Sequence, residues 1–191
     1  FCFGLGLVAW GGPWLIAVGV VSIVCGIVYT GGPWPLGYHG LGDIFVFVFF
    51  GLVAVGATYF VQARGVTLDV LIAGAAIGAL TTNILVLNNY RDAETDARAD
   101  KRTLVVRFGR SFARTQFGGA IALALAVPVV LWWRGGGVAV LLPWLVAPVA
   151  GWHIRRLGAA RASAELIALL GETGLLLAAY ALLLSVGLVL R

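Results

Sequence analysis

Apolar residues in this chain come in long unbroken runs, not in the alternation of a half-buried strand. Six runs approach the roughly 20 residues, at about 1.5 Å each, that a helix needs to cross a bilayer. They are Pro13–Tyr29, Asp43–Gln62, Leu68–Asn88, Phe112–Trp133, Val138–His153 and Glu165–Leu190. A seventh run, Phe1–Trp10, is half that length and is expected to be part of a helix that begins upstream. It lacks the basic n-region and separate cleavage site of a signal peptide. The Val138–His153 run is short and carries Pro143 and Pro148, which predicts a kinked helix. Open strands cannot span lipid. The expected fold class is therefore all-α, a polytopic transmembrane helix bundle. It is a single domain over residues 1–191, with an N-terminal part expected to be missing.

Composition agrees. Apolar residues make up 61% of the 191 positions and charged residues only 11%, and mean hydropathy is +1.02. Soluble domains are about a quarter charged, so this chain could cover its surface in a lipid bilayer but not in water. The 27 glycines suit close helix approach, and seven Trp and five Tyr suit interfacial belts. Cys2 and Cys25 lie in apolar runs with no metal spacing and read as small hydrophobes. A pI near 9.8 would fit a nucleic-acid partner, but the basic residues sit in short loops between apolar runs, which excludes that partner.

Those loops give an orientation. Seven Lys and Arg fall in the loop around 90–114 and three more (Arg155, Arg156 and Arg161) around 154–164, two helices later and so on the same side. Only Arg64, Arg134 and Arg191 fall opposite. The bias places the first set, and with it the loop Thr30–Gly42, in the cytoplasm and the C-terminus outside.

One loop carries chemistry. Asp92, Asp96 and Asp100 stand four apart, a spacing that lines one face of a helix, with Asn88 a turn deeper. Carboxylates so close repel unless a cation lies among them. Hard oxygen donors without His or Cys suit Mg²⁺, which binds through one or two carboxylates plus phosphate oxygens. Arg91, Lys101, Arg102 and Arg107 flank the acids and suit a diphosphate. The bland alternative is a solvated segment whose mixed charges pair along a helix.

The run from Asn88 to Gly109 resembles the second aspartate-rich motif of the UbiA superfamily of intramembrane prenyltransferases. It is closest to the MenA branch, which prenylates 1,4-dihydroxy-2-naphthoate in menaquinone synthesis. That branch reads roughly N-N-x-R-D-x-x-x-D-x-x-x-G-K-x-T-L-x-V-R-x-G. It is matched here by Asn88, Asn89, Arg91, Asp92, Asp96, Lys101, Thr103, Leu104, Val106, Arg107 and Gly109. A second block, Tyr29–Pro33 and Pro35–Asp43, resembles the family's Y-T…P-x-G-Y-x-G-L-G-[DE] loop. Asp100 departs from the family's Gly, and the family's first motif, of the N-D-x-x-D type, is absent.

The resemblance implies Mg²⁺-dependent transfer of a polyprenyl group from an allylic polyprenyl diphosphate to 1,4-dihydroxy-2-naphthoate, with loss of CO₂ and diphosphate, giving demethylmenaquinone. It assigns Asp92 and Asp96 to the metal, supported by Asn88 or Asn89, and Lys101, Arg107 and Arg91 to the diphosphate. Asp43 and Tyr38 fall to the aromatic acceptor, Asp43 as a partner of its hydroxyl or as a proton carrier. Tyr29 and Tyr59 are read as interfacial packing, Gly74 and Gly78 as a close-packing pair, and His39 and His153 as isolated loop or interface residues. Glu165 and Glu172 receive no role. The rival classes are a UbiA-type enzyme with another acceptor, a cation-coupled transporter and a non-catalytic scaffold.

One prediction follows from the chain alone. The sequence upstream of Phe1 should hold an Asn-Asp-x-x-Asp-like motif on the cytoplasmic side. Sequencing the full gene checks this, and an upstream region without paired acids would end the prenyltransferase reading.

Overall fold

The computed structural model describes residues 2–160 and 162–190. Phe1, Arg161 and Arg191 lie outside the described residues, and with them the start of the first apolar run and two charges of the loop count. Every regular element among the described residues is helical. The main helices are α1 (Trp14–Thr30), α2 (Gly42–Ala63), α3 (Leu68–Arg98), α4 (Leu104–Trp133), α5 (Val138–Ala159) and α6 (Ser163–Val189). The last five are long and apolar enough to cross a membrane, which makes this a multi-pass membrane protein.

The first run is not one continuous half-helix. Cys2–Leu5 and Val8–Gly11 form two short helices broken by a turn at Gly6 and Leu7. Gly12 (φ 93°) then separates them from α1. Glycine is a poor helix former, and four of the first twelve residues are glycine, Gly4, Gly6, Gly11 and Gly12.

Hydropathy underestimates three other elements. α3 runs ten residues past Asn88, α4 starts eight residues before Phe112, and α5 continues beyond His153 to Ala159. The apolar run marks where lipid touches a helix. The backbone ladder needs no lipid and continues beyond it. At 31 residues, α3 is about 46 Å long against a hydrocarbon core of about 30 Å, so its last turns project past the lipid.

α3 is the central element and packs against α2, α4 and α6. On α2, a methyl group at Gly51 would lie 2.6 Å from both the Gly74 carbonyl oxygen and the Gly78 Cα, and one at Gly78 would lie 2.6 Å from the Phe47 carbonyl oxygen. These contacts are backbone on backbone, the close-packing role expected of Gly74 and Gly78. Here α2 is wound as a π-helix over Phe47–Val53. α5 is kinked as its prolines predict: Val138–Val146, with Pro143, is 3₁₀, and an α-helix with Pro148 in its first turn takes over at Ala147.

Pro128 sits inside α4 and has no N–H to give the Ala124 carbonyl one turn back. The Tyr180 hydroxyl of α6 donates to that same carbonyl at 2.6 Å. Lipid offers no substitute donor, so this bond closes the gap left by the proline and ties α6 to α4. Tyr180→Phe should lower unfolding free energy in bicelles by about 1–2 kcal/mol. An unchanged value would mean that the Ala124 carbonyl finds another partner.

Candidate active site

Two connections meet at the end of the bundle where α3 stops, the loop between α1 and α2 and the segment between α3 and α4. α3 carries Asp92 and Asp96 one turn apart, with Asn88 one turn further in and half-buried, whereas Asn89 points elsewhere and is buried. Arg91 donates to both oxygens of Asp92, Nε to Oδ1 and Nη2 to Oδ2, each at 2.7 Å. Asp92 lies past the apolar stretch, and the Arg91 hydrogen bonds hold its carboxyl below the usual carboxylate range. Asp96 is largely buried and accepts from Lys101 Nζ at 3.0 Å.

Asp100 does not continue this face. α3 ends at Arg98, and Asp100 adopts a left-handed conformation (φ 52°) whose exposed side chain pairs with Arg102. The expectation that all three aspartates line one helix face is therefore corrected to two. Glycine takes a left-handed turn without strain, which explains the family residue at this position. Gly109 (φ 83°) likewise breaks the start of α4 after Phe108, a bend that its missing side chain permits.

The loop between α1 and α2 lies against this segment. Tyr38, half-exposed in the 3₁₀ turn Leu36–His39, accepts the Arg102 backbone N–H at 2.8 Å through its carbonyl. A methyl group at Gly40 would lie 3.1 Å from the Arg102 carbonyl oxygen and 3.5 Å from Arg107 Nε. Arg107 itself is exposed and donates to the Arg102 carbonyl at 3.0 Å. Tyr29 wedges into the same loop, its hydroxyl 2.8 Å from where a Gly42 methyl would stand. His39 stays local, with its ring 4.0 Å from Trp34 and Nδ1 2.8 Å from the Pro35 carbonyl oxygen.

Asp43 is set apart from the charged motif. It is 6% exposed, and Gln116 Nε2 of α4 donates to its Oδ1 at 2.8 Å. Thr82 Oγ1 of α3 lies 3.5 Å from its carbonyl oxygen. Next to Thr82, fully buried Asn83 donates to the Phe117 carbonyl of α4 at 3.0 Å. Sequence reasoning missed Gln116 and Asn83. The available signal was a lone amide inside an apolar run, which lipid makes expensive. Between α1 and α2, a groove of about 640 Å³ runs from Tyr29 past Cys25, Phe49 and Val53 to Val18 and Thr58.

The remaining acids find partners. Glu172 pairs with Arg156 and lies 3.7 Å from His153 Nε2. His153 is thus a buried residue facing α6, not an isolated interface histidine; its ring sits on the inner side of α5. Glu165 accepts the Ala162 N–H at the start of α6.

Residues 1–169 match the profile of the UbiA prenyltransferase family. The chain belongs to that family. It is 42% identical over 184 residues to the 1,4-dihydroxy-2-naphthoate octaprenyltransferase of Mycobacterium tuberculosis, covering 94% of this chain and 61% of that protein. The Haemophilus influenzae protein of the same name is 38% identical over 134 residues, 67% of this chain and 44% of that protein. The 2-carboxy-1,4-naphthoquinone phytyltransferase of Synechocystis is 30% identical over 124 residues, 65% of this chain and 39% of that protein. The chain spans 61% and 60% of the length of the two mycobacterial relatives it matches.

Asp100→Gly separates geometry from ligation. It relieves a left-handed non-glycine residue and removes only an exposed ion pair, so stability should be unchanged or higher by about 1 kcal/mol. Prenyl transfer should be retained. A loss of activity as deep as that of Asp92→Ala would make the Asp100 carboxylate a candidate ligand again.

Proposed function

We propose that the protein transfers a polyprenyl group from an allylic diphosphate to 1,4-dihydroxy-2-naphthoate, the reaction of the menaquinone branch of its family. The observation that carries this reading is the pair Asp92 and Asp96. They stand one turn apart where α3 outlasts the lipid, each paired with a basic side chain, and the segment that follows them meets the loop between α1 and α2 at Arg102 and Arg107. The family membership and the naphthoate-directed names of the relatives support it.

The donor set fits Mg²⁺. Both side chains are hard carboxylates, and each oxygen can accept more than one partner, so Asp92 can keep Arg91 while binding a cation. Among the described residues no three His, Cys, Asp or Glu side chains converge, which suits an ion that completes its shell with substrate phosphate oxygens and water. Asp92 and Asp96 would hold the ion, with Asn88 or Asn89 beside them, and it would offset the diphosphate's negative charge.

The chain's own groups divide the remaining work. Lys101, Arg107 and Arg91 grip the diphosphate oxygens, so that the leaving group departs with the electron pair of the allylic C–O bond. The groove between α1 and α2 takes the isoprenoid tail and keeps water from the allylic carbon. The naphthoate ring carbon forms the new C–C bond and its bond to the carboxylate breaks, releasing CO₂ and returning the electron pair to the ring, which leaves the quinol form of demethylmenaquinone. Tyr38 and Asp43 hold the acceptor, and Asp43 is the partner of its hydroxyl. By the loop charges, this end of the bundle is cytoplasmic.

Asp92→Ala and Asp96→Ala should each lower prenyl transfer by orders of magnitude, measured in membranes with radiolabelled prenyl diphosphate, while leaving the protein folded. Tyr38→Phe should raise the apparent KM for dihydroxynaphthoate more than that for the diphosphate. Wild-type rates in both aspartate variants would overturn the metal assignment. An effect of Tyr38→Phe on the diphosphate alone would move the loop to the donor side.

A further inference from the structure

One of the polar contacts below the charged motif is made by a side chain that no motif assigned. α4 from Phe112 to Trp133 is apolar apart from a few positions, and Gln116 lies four residues into it. Its Nε2 donates to Asp43 Oδ1 at 2.8 Å, across two helices and 73 positions of sequence. Its Oε1 is buried with no hydrogen-bond partner. A buried amide oxygen left unpaired destabilises a fold, so this glutamine is a poor choice for packing alone.

The backbone around it is fixed. Asn83 Nδ2 holds the carbonyl of the next residue, Phe117, at 3.0 Å, and Phe117 is fully buried. Asp43 is fixed from its own side by the α2–α3 contact. Gln116 and Asp43 are thus two polar groups aimed at each other from rigid helices. The bond also fixes which end of the amide faces the carboxylate, because a carboxylate only accepts and requires the Nε2 donors.

We infer that Gln116 is a positioning residue that holds the Asp43 carboxylate toward the aromatic acceptor. The inference rests on the acceptor-side role proposed for Asp43. Gln116 engages Oδ1, and the backbone N–H of Asp43 also faces the carboxylate; together they fix its plane, with the remaining lone pairs presented to the acceptor hydroxyl. Without Gln116 the carboxylate can rotate about its terminal torsion, which is broad, and meets the hydroxyl in fewer of its orientations. The diphosphate, held by the motif beyond the lipid, does not feel this change.

The test is a double-mutant cycle of Gln116→Met, Asp43→Asn and the pair, with KM for each substrate and kcat measured in membranes. Methionine keeps the length of glutamine and removes the donor. Gln116→Met should raise the dihydroxynaphthoate KM, or lower kcat, by about tenfold, with the diphosphate KM within about twofold of wild type. The double variant should match Asp43→Asn alone, because a residue acting only through Asp43 adds nothing once the carboxylate is gone. Losses that multiply, a silent Gln116→Met beside a damaged Asp43→Asn, or a parallel rise in the diphosphate KM would each overturn the inference alone. A silent Asp43→Asn would overturn the acceptor-side reading and this inference with it.

Discussion

Gly51, Gly74 and Gly78 allow the backbones of α2 and α3 to touch, and that contact repeats in register. Gly51 meets Gly74, Phe47 meets Gly78, and Asp43 meets Thr82, each pair one turn from the last along two antiparallel helices. A side chain at Gly51 or Gly78 would push against backbone, which cannot give way as a flexible side chain can. The depth and rotation of Asp43 are therefore set two turns away, by the absence of a Cβ. The π-wound stretch Phe47–Val53 lies at this contact. Such a stretch shifts the helix face by one residue relative to a continuous α-helix, and here it carries Gly51 to α3 while Asp43 faces Thr82.

The other half of the bundle solves a different problem, that of backbone groups in a solvent without hydrogen bonds. Pro128 frees a carbonyl in α4, and Tyr180 reaches from α6 to bind it. Pro143 and Pro148 lie where α5 changes from 3₁₀ to α-helix, so the second falls in a first turn, where a missing N–H costs little. α6 approaches the 3₁₀ stretch so closely that a methyl group at Gly187 would collide with the Ala139 carbonyl. These contacts tie α4, α5 and α6 into one body. Gln116 and Asn83's partner Phe117 belong to that body, so the polar junction with α2 is also the seam between the two halves.

How much of this the residues announced depends on the range of each interaction. The runs at Pro13–Tyr29, Asp43–Gln62 and Glu165–Leu190 became α1, α2 and α6 nearly as read, because each apolar run and its helix end together. The Asp92–Asp96 spacing gave a shared face because α3 stays helical there, and Asp100 left that face because the helix ends two residues earlier. No local pattern marks that ending apart from the family's glycine. Gln116 was hidden for another reason. Its meaning lies in a partner 73 residues away, and only the register of α2 on α3 brings that partner near. His153 and Glu172 were unreadable in the same way: each looks isolated along the chain, and the packing of α5 on α6 makes them neighbours.

The proposed division of the site into two chemistries follows from the membrane boundary. A diphosphate is strongly hydrated and cannot be drawn into hydrocarbon without compensating charge. The motif's ionic groups stand outside the apolar spans: Arg91, Asp92 and Asp96 where α3 has passed beyond about 30 Å of lipid, Lys101 on the loop that follows, and Arg107 in the first turn of α4. An allylic tail has the opposite preference, and the groove beside Tyr29 is lined mostly by apolar side chains of α1 and α2. A molecule with both parts, bound at both places, must carry its C–O bond across the boundary between them. Asp43 lies on the inner side of that boundary, buried and held by an amide in place of a guanidinium or ammonium group. An arginine there would attract the diphosphate and compete with the motif. A neutral donor orients the carboxylate without creating a second anion site, and on the proposed reading this would keep the aromatic acceptor and the charged leaving group on opposite sides of the reacting carbon.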